Sequence, residues 1–214
     1  MVQNMIIEKD LITDDGFYLI DDVKIGFLFD EEYGGYIISS GSGRISELHI
    51  PATINGLPVI DIDGDIVDTL HGFDKIITND NPYFKVIDGV LFSGDSKRLI
   101  IYPPEKKNEF YEIPASIKSI SDGAFCCNQH LKRLVIPKGT EYIVQYALGC
   151  CKNLEEIWIP KSLKQVMLKA FIYCNSLKDI YFEGNEAEWR SIDFTYCNEA
   201  LTNAAVHLNS QQLP

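Results

Sequence analysis

Apolar residues in the second half of this chain return at a fixed interval of 23 residues. Ile113, Ile136 and Ile159, each followed by Pro, lead one interval later to Phe182. Leu131, Leu154 and Leu177 form a second column, and Leu134, Ile157 and Ile180 a third. Ile120, Ile143 and Val166 keep the same step. So do Phe125, Leu148, Phe171 and Phe194, with Ala124, Ala147 and Ala170 just ahead of them. A further column reads Asn128, Cys151, Cys174, Cys197. Several columns in one register are the mark of a stacked repeat.

A unit this short cannot bury its own apolar residues, but stacked on its neighbours it can. The stretch Leu-x-x-Ile-x-Ile supplies one strand per coil, so the coils build a parallel sheet with strands about 4.8 Å apart. Alternation puts Ile157 and Ile159 on one face, as it does Leu134 and Ile136 one coil earlier. The Pro that follows has no N–H to donate and suits a strand end. Ala-Phe-x-x-Cys-x-x-Leu predicts a tight helical turn, in which Ala lets the backbone come close and the aromatic ring fills the coil.

The stretch "IPASIKSISDGAFCCNQHLKRLVIP", residues 113–137, resembles the BspA-like subclass of leucine-rich repeats, and the match in order and interval runs from Ile113 to Phe182. Weaker resemblance extends outward to residues 36–208. "LHIPATINGLPVIDIDGDIV" (Leu48 to Val67) is similar to an opening coil, lengthened by Gly-x-Pro-Val, with Ile66-Val67 in place of Ala-Phe. "NPYFKVIDGVLFSGDSKRLIIYPP" (81–104) is similar to the family's hairpin insert; its predicted strands are Val86–Phe92 and Arg98–Tyr102, joined by the turn residues 93–96. The segment from Ile180 to Leu208 is similar to a closing segment, in which Trp189 would pack as a cap residue.

The expected class is therefore strand-rich α/β: a leucine-rich repeat solenoid with a parallel sheet, short helical turns and a β-hairpin insert. Residues 1–35 fit no repeat and offer two strand-like runs around Asp21-Asp22. They are expected to cap the solenoid's apolar end and unpaired edge. The solenoid is expected over 36–208, with a C-terminal cap from about 183 and a tail at 209–214.

Net charge is −12, from 19 basic and 31 acidic residues. That argues against nucleic acid as a partner, because phosphate contacts need a basic stripe. It argues equally against anionic membrane surfaces. No stretch reaches the roughly 18 apolar residues of a membrane helix, and the first residues lack a basic region before a long apolar run. A secreted or cell-surface location is expected if a leader has been removed, and a cytoplasmic one if Met1 is the true start.

Candidate chemistry is thin. The six cysteines include adjacent pairs at 126–127 and 150–151, without the paired C-x-x-C knuckles of a zinc site. Stacked columns do bring Cα atoms into disulfide range, but the expected role is a ladder of buried, reduced thiols serving turn backbone groups. "DIDGDIVD" (61–68) fails the calcium-loop pattern, with Ile66 where Gly is needed. None of the four histidines sits in a catalytic motif. No catalytic residue, cofactor or metal is predicted.

One stripe points to binding. The residue between the two inward positions of each strand faces outward, giving Val135, Trp158 and Tyr181, flanked by Arg133, Glu156 and Asp179. Large aromatics on a sheet's outer face are frequent interface anchors. Trp158→Ala is expected to weaken partner binding with little loss of stability. The expectation is a non-enzymatic module presenting a rigid sheet face to another protein; the resemblance implies adhesion or host-surface binding. Two alternatives stay open: an intracellular scaffold that self-associates into a homo-oligomer, and a glycan-binding module that stacks sugars on exposed aromatics.

Overall fold

The computed structural model describes residues 17–20, 23–64 and 66–211 of the 214-residue chain. Residues 1–16 of the expected N-terminal cap and 212–214 of the expected tail lie outside the described residues. An antiparallel meander comes first: β1 (Phe17–Ile20), β2 (Val23–Asp30) and β3 (Gly35–Arg44). Next come β4 (Glu47–His49), the hairpin β5 (Thr53–Ile54) and β6 (Leu57–Ile62), the single turn α1 (Ile66–Thr69), β7 (Leu70–His71) and β8 (Lys75–Ile77). A second meander is built from β9 (Phe84–Ile87), β10 (Val90–Ser93) and β11 (Arg98–Ile101). The repeats follow: β12 (Phe110–Glu112), β13 (Ser119–Ile120), β14 (Arg133–Val135), β15 (Tyr142–Ile143), β16 (Glu156–Ile159), β17 (Gln165–Val166) and β18 (Asp179–Phe182). The chain closes with α2 (Glu186–Arg190), β19 (Asp193–Phe194), α3 (Glu199–Asn203) and β20 (Ala205–His207).

Each coil contributes to two parallel sheets. One runs β12-β14-β16-β18-β20, and the other continues from β11 through β13, β15, β17 and β19. Pairing keeps the 23-residue step: Leu134 lies beside Ile157 and Ile157 beside Ile180, while Ile120, Ile143 and Val166 line up in the second sheet. Leu131, Leu154 and Leu177 are buried in the core between the sheets. Their neighbours Lys132, Glu155 and Lys178 are linked by Glu155 N–H to Lys132 O at 2.8 Å and Lys178 N–H to Glu155 O at 2.9 Å. This is a strand-rich leucine-rich solenoid in which only α1, α2 and α3 are helical among the described residues.

The Ala-Phe turns are short. Cys126 N–H reaches Gly123 O and Asn128 N–H reaches Phe125 O, bonds three residues apart that close tight turns without a continuing helix. Two positions per coil take left-handed backbone: Gly123, Tyr146 and Lys169 before the buried Ala, and Cys127, Cys150, Tyr173 and Cys197 after it.

Three sequence expectations are corrected. The hairpin insert is a three-stranded meander, because Asp88 (φ 50°) and Gly89 (φ 76°) turn the chain inside the run expected as one strand, Val86–Phe92. Phe194 pairs with Val166, so it continues the Ile120–Ile143–Val166 column and not that of Phe171. Cys197 stands in the left-handed column with Cys127 and Cys150, and Asn198 takes the place expected for it. The residues that form α2 bring Phe194 five places late, and a shorter turn after it leaves Cys197 only one place late. Asn185 caps that helix with its side chain on Glu188 N–H, and Glu188 bonds back to Asn185 N–H.

The second meander has apolar residues on both faces. Val90, Phe92 and Leu99 join the repeat core, whereas Leu91, Ile100 and Ile101 join a second core with Ile25, Ile38, Leu48, Ile66 and Phe73. A strand buried on both sides reads as a continuous apolar run and not as an alternation. Where the two halves meet, a Cβ on Gly64 would lie 1.8 Å from Asp122 O, and one on Gly123 2.6 Å from Gly64 O. Only glycine permits that approach.

Candidate functional site

The candidate site is the face of the β12–β20 sheet turned away from the core. Ladder register fixes two rows on it. One holds Phe110, Arg133, Glu156, Asp179 and Ala205; the other holds Glu112, Val135, Trp158, Tyr181 and His207. The structure thus brings together all six residues singled out from the sequence. It adds Phe110 and Glu112, which lie one 23-residue step before Arg133 and Val135, and His207, which the longer last coil puts out of step.

The rings form a column. Trp158 and Tyr181 stack with centroids 4.5 Å apart and 15° between planes, and Tyr181 stacks on His207 at 4.9 Å and 19°. His207 Nε2 lies 2.7 Å from Asp179 Oδ1, which ties the two rows together at that end. At the other end the Arg133 guanidinium sits over the Phe110 ring at 5.4 Å. Burial pushes the Tyr181 hydroxyl pKa upward, and the carboxylates of Glu156 and Asp179 add to the rise.

Exposure along the column differs from the expectation. Val135 is 2% exposed and Trp158 6%, although neither belongs to the core cluster. Stacking on adjacent coils buries them, so truncating Trp158 must cost stability as well as surface. The accessible groups are Tyr181, Glu156 and Asp179, partly buried, and Phe110, Glu112, Arg133, Ala205 and His207, all exposed.

The cysteine column serves the backbone. Cys151 Sγ lies 3.1 Å from Phe125 O and Cys174 Sγ 3.0 Å from Leu148 O, and both thiols are buried. Burial pushes both thiol pKa values up, that of Cys174 to about 12. Asparagines hold the two ends of the column. Asn128 Nδ2 donates to the carbonyls of Pro103, Pro104 and Lys106, and Asn198 Nδ2 to those of Met167 and Thr195. No cluster of His, Cys, Asp or Glu suited to a metal ion occurs among the described residues.

Comparison with known proteins bears on the repeat that builds this sheet. The family model of the BspA type leucine rich repeat region matches residues 105–212, in six copies. Among solved structures, the pneumococcal vaccine antigen PcpA is similar with a TM-score of 0.50 and 19% identity, over 81% of this chain and 58% of that one. A leucine rich cell surface protein from Faecalibacterium prausnitzii matches at 22% identity and a TM-score of 0.36, over 70% of this chain and 51% of that one. A leucine-rich repeat protein from Eubacterium ventriosum matches at 15% identity and a TM-score of 0.42, over 79% and 60%. The chain therefore spans less than two thirds of each of these structures. No curated protein matches it in sequence.

Proposed function

The chain belongs to the BspA-type leucine-rich repeat family, and from that membership we propose that it is a non-catalytic interaction module whose protein partner docks on the outer face of the β12–β20 sheet. The observation that carries this reading is the ring column beside the carboxylate row, with Tyr181, His207, Phe110 and Arg133 still accessible on a rigid sheet. Tyr and Arg on a pre-organised surface are the residue types that dominate interface energetics. Adhesion or host-surface binding, with display outside the cell, is the finer form of the proposal. It rests on membership of the family.

The stacked geometry favours a protein over a sugar. Trp158, Tyr181 and His207 turn their faces on one another, so the column offers ring edges to a ligand, whereas sugar binding uses ring faces. The test is surface plasmon resonance against an array of matrix and host-surface proteins, with wild type, Tyr181→Ala and Arg133→Ala. A partner that loses at least about tenfold in affinity (roughly 1.4 kcal/mol) with either variant supports the face. Binding at full strength by both variants overturns it. A glycan array on the same samples addresses the sugar alternative, and light scattering addresses self-association.

A further inference from the structure

We propose that Cys127 and Cys150 form an oxidant-responsive pair that closes into a disulfide between adjacent coils. The six cysteines divide by environment. Cys126, Cys151 and Cys174 are buried and Cys197 is partly exposed two coils away, whereas Cys127 and Cys150 are partly exposed on adjacent coils. These two occupy the same place in successive coils and share one backbone conformation, with φ 62° and 59°. Their Cα–Cβ bonds therefore point the same way from adjoining rungs.

The backbone holds the rungs together at this place. Cys127 N–H donates to Gly149 O at 2.9 Å, and Cys150 N–H donates to Ile172 O at 2.8 Å. Gln129 Nε2 clamps the two cysteine carbonyls at 2.9 and 2.8 Å. These bonds between turns keep neighbouring coils at a strand-like spacing of about 4.8 Å, inside the Cα separations that disulfides span, about 4.4–6.8 Å, and closing the bond draws the two Cβ atoms together toward about 3.8 Å. The left-handed backbone costs a non-glycine residue energy at both positions, so the two side chains are displayed at a price in local strain.

The reagent class is a small disulfide, represented by oxidised glutathione. The thiolate of one cysteine attacks it, breaking its S–S bond and releasing one reduced glutathione. The second cysteine then attacks the mixed disulfide, forms the Cys127–Cys150 bond and releases another glutathione. The protein gives up two electrons and two protons, and both end on the two glutathione molecules.

Cys126 is the internal competitor, since its Sγ lies 3.7 Å from that of Cys127. Digestion separates the outcomes. The full chain is incubated with oxidised glutathione, remaining thiols are alkylated under denaturing conditions, and trypsin is added. The expected product is a cross-link between peptides 119–132 and 139–152, present in wild type and in Cys151→Ser, absent in Cys127→Ser and Cys150→Ser, with a higher melting temperature for oxidised wild type. A disulfide confined to peptide 119–132, glutathione adducts without a cross-link, or a cross-link that survives in Cys150→Ser would overturn the assignment.

Discussion

The side-chain oxygen of Asn198 accepts the Phe171 backbone N–H at 3.0 Å, in the position that a following coil's carbonyl would occupy. One and two coils earlier the same bond is made by backbone, from Phe125 N–H to Ala147 O at 2.7 Å and from Leu148 N–H to Ala170 O at 2.8 Å. Asn198 thus completes the ladder with a side chain. Asn198→Ala should strand the buried Phe171 N–H and cost about 1–3 kcal/mol. The loss should appear as a lower urea midpoint and faster hydrogen exchange at Phe171.

Gly64→Ala should be more damaging than its chemistry suggests. The added methyl would meet Asp122 O at 1.8 Å, and that atom is backbone and cannot swing aside. The two halves must separate locally, at about 1–3 kcal/mol, the usual cost of overpacking. Thermal unfolding of the purified variant measures it.

Charge alternates down one column: Glu109, Lys132, Glu155 and Lys178, with Lys132–Glu109 at 2.8 Å and Lys178–Glu155 at 3.5 Å. Glu155→Lys would align three cations on neighbouring rungs. The melting temperature should fall at low salt and recover much of the loss at high ionic strength, as screening requires for exposed charges. A drop that salt leaves untouched would point to packing instead.

Alkali should weaken the fold through its buried thiols. Burial raises the Cys174 pKa to about 12, above that of an unfolded thiol. The native state therefore keeps a proton that the unfolded state has already released. This contribution is fully present below about pH 8.5 and is lost as pH rises toward 12. Urea midpoints measured from pH 8 to 11 should fall more steeply for wild type than for Cys174→Ser.

Much of this was legible in the sequence because the coils repeat without interruption from Ile113 to Phe182. A constant interval assigns Leu131, Leu154 and Leu177 to one row before any coordinate is known. It fails after Phe182, since the residues of α2 bring Phe194 five places late and the shorter turn that follows leaves Cys197 one place late. The turn at Asp88-Gly89 carried a recognisable signal, but apolar residues on both sides of it read as one run. Trp158 sits on the predicted face, yet its burial depends on Tyr181 across the ladder, a contact that spacing alone leaves undetermined.

The wall formed by β10 and β11 also governs how the molecule comes apart. Repeat arrays can fray from one end, because each unit touches only its neighbours. Here Leu91 and Phe92, adjacent in the chain, are rooted in different cores. Neither core can melt without uncovering the strand that seals the other. Heating should therefore give a single calorimetric transition in place of a staged loss of separate ends.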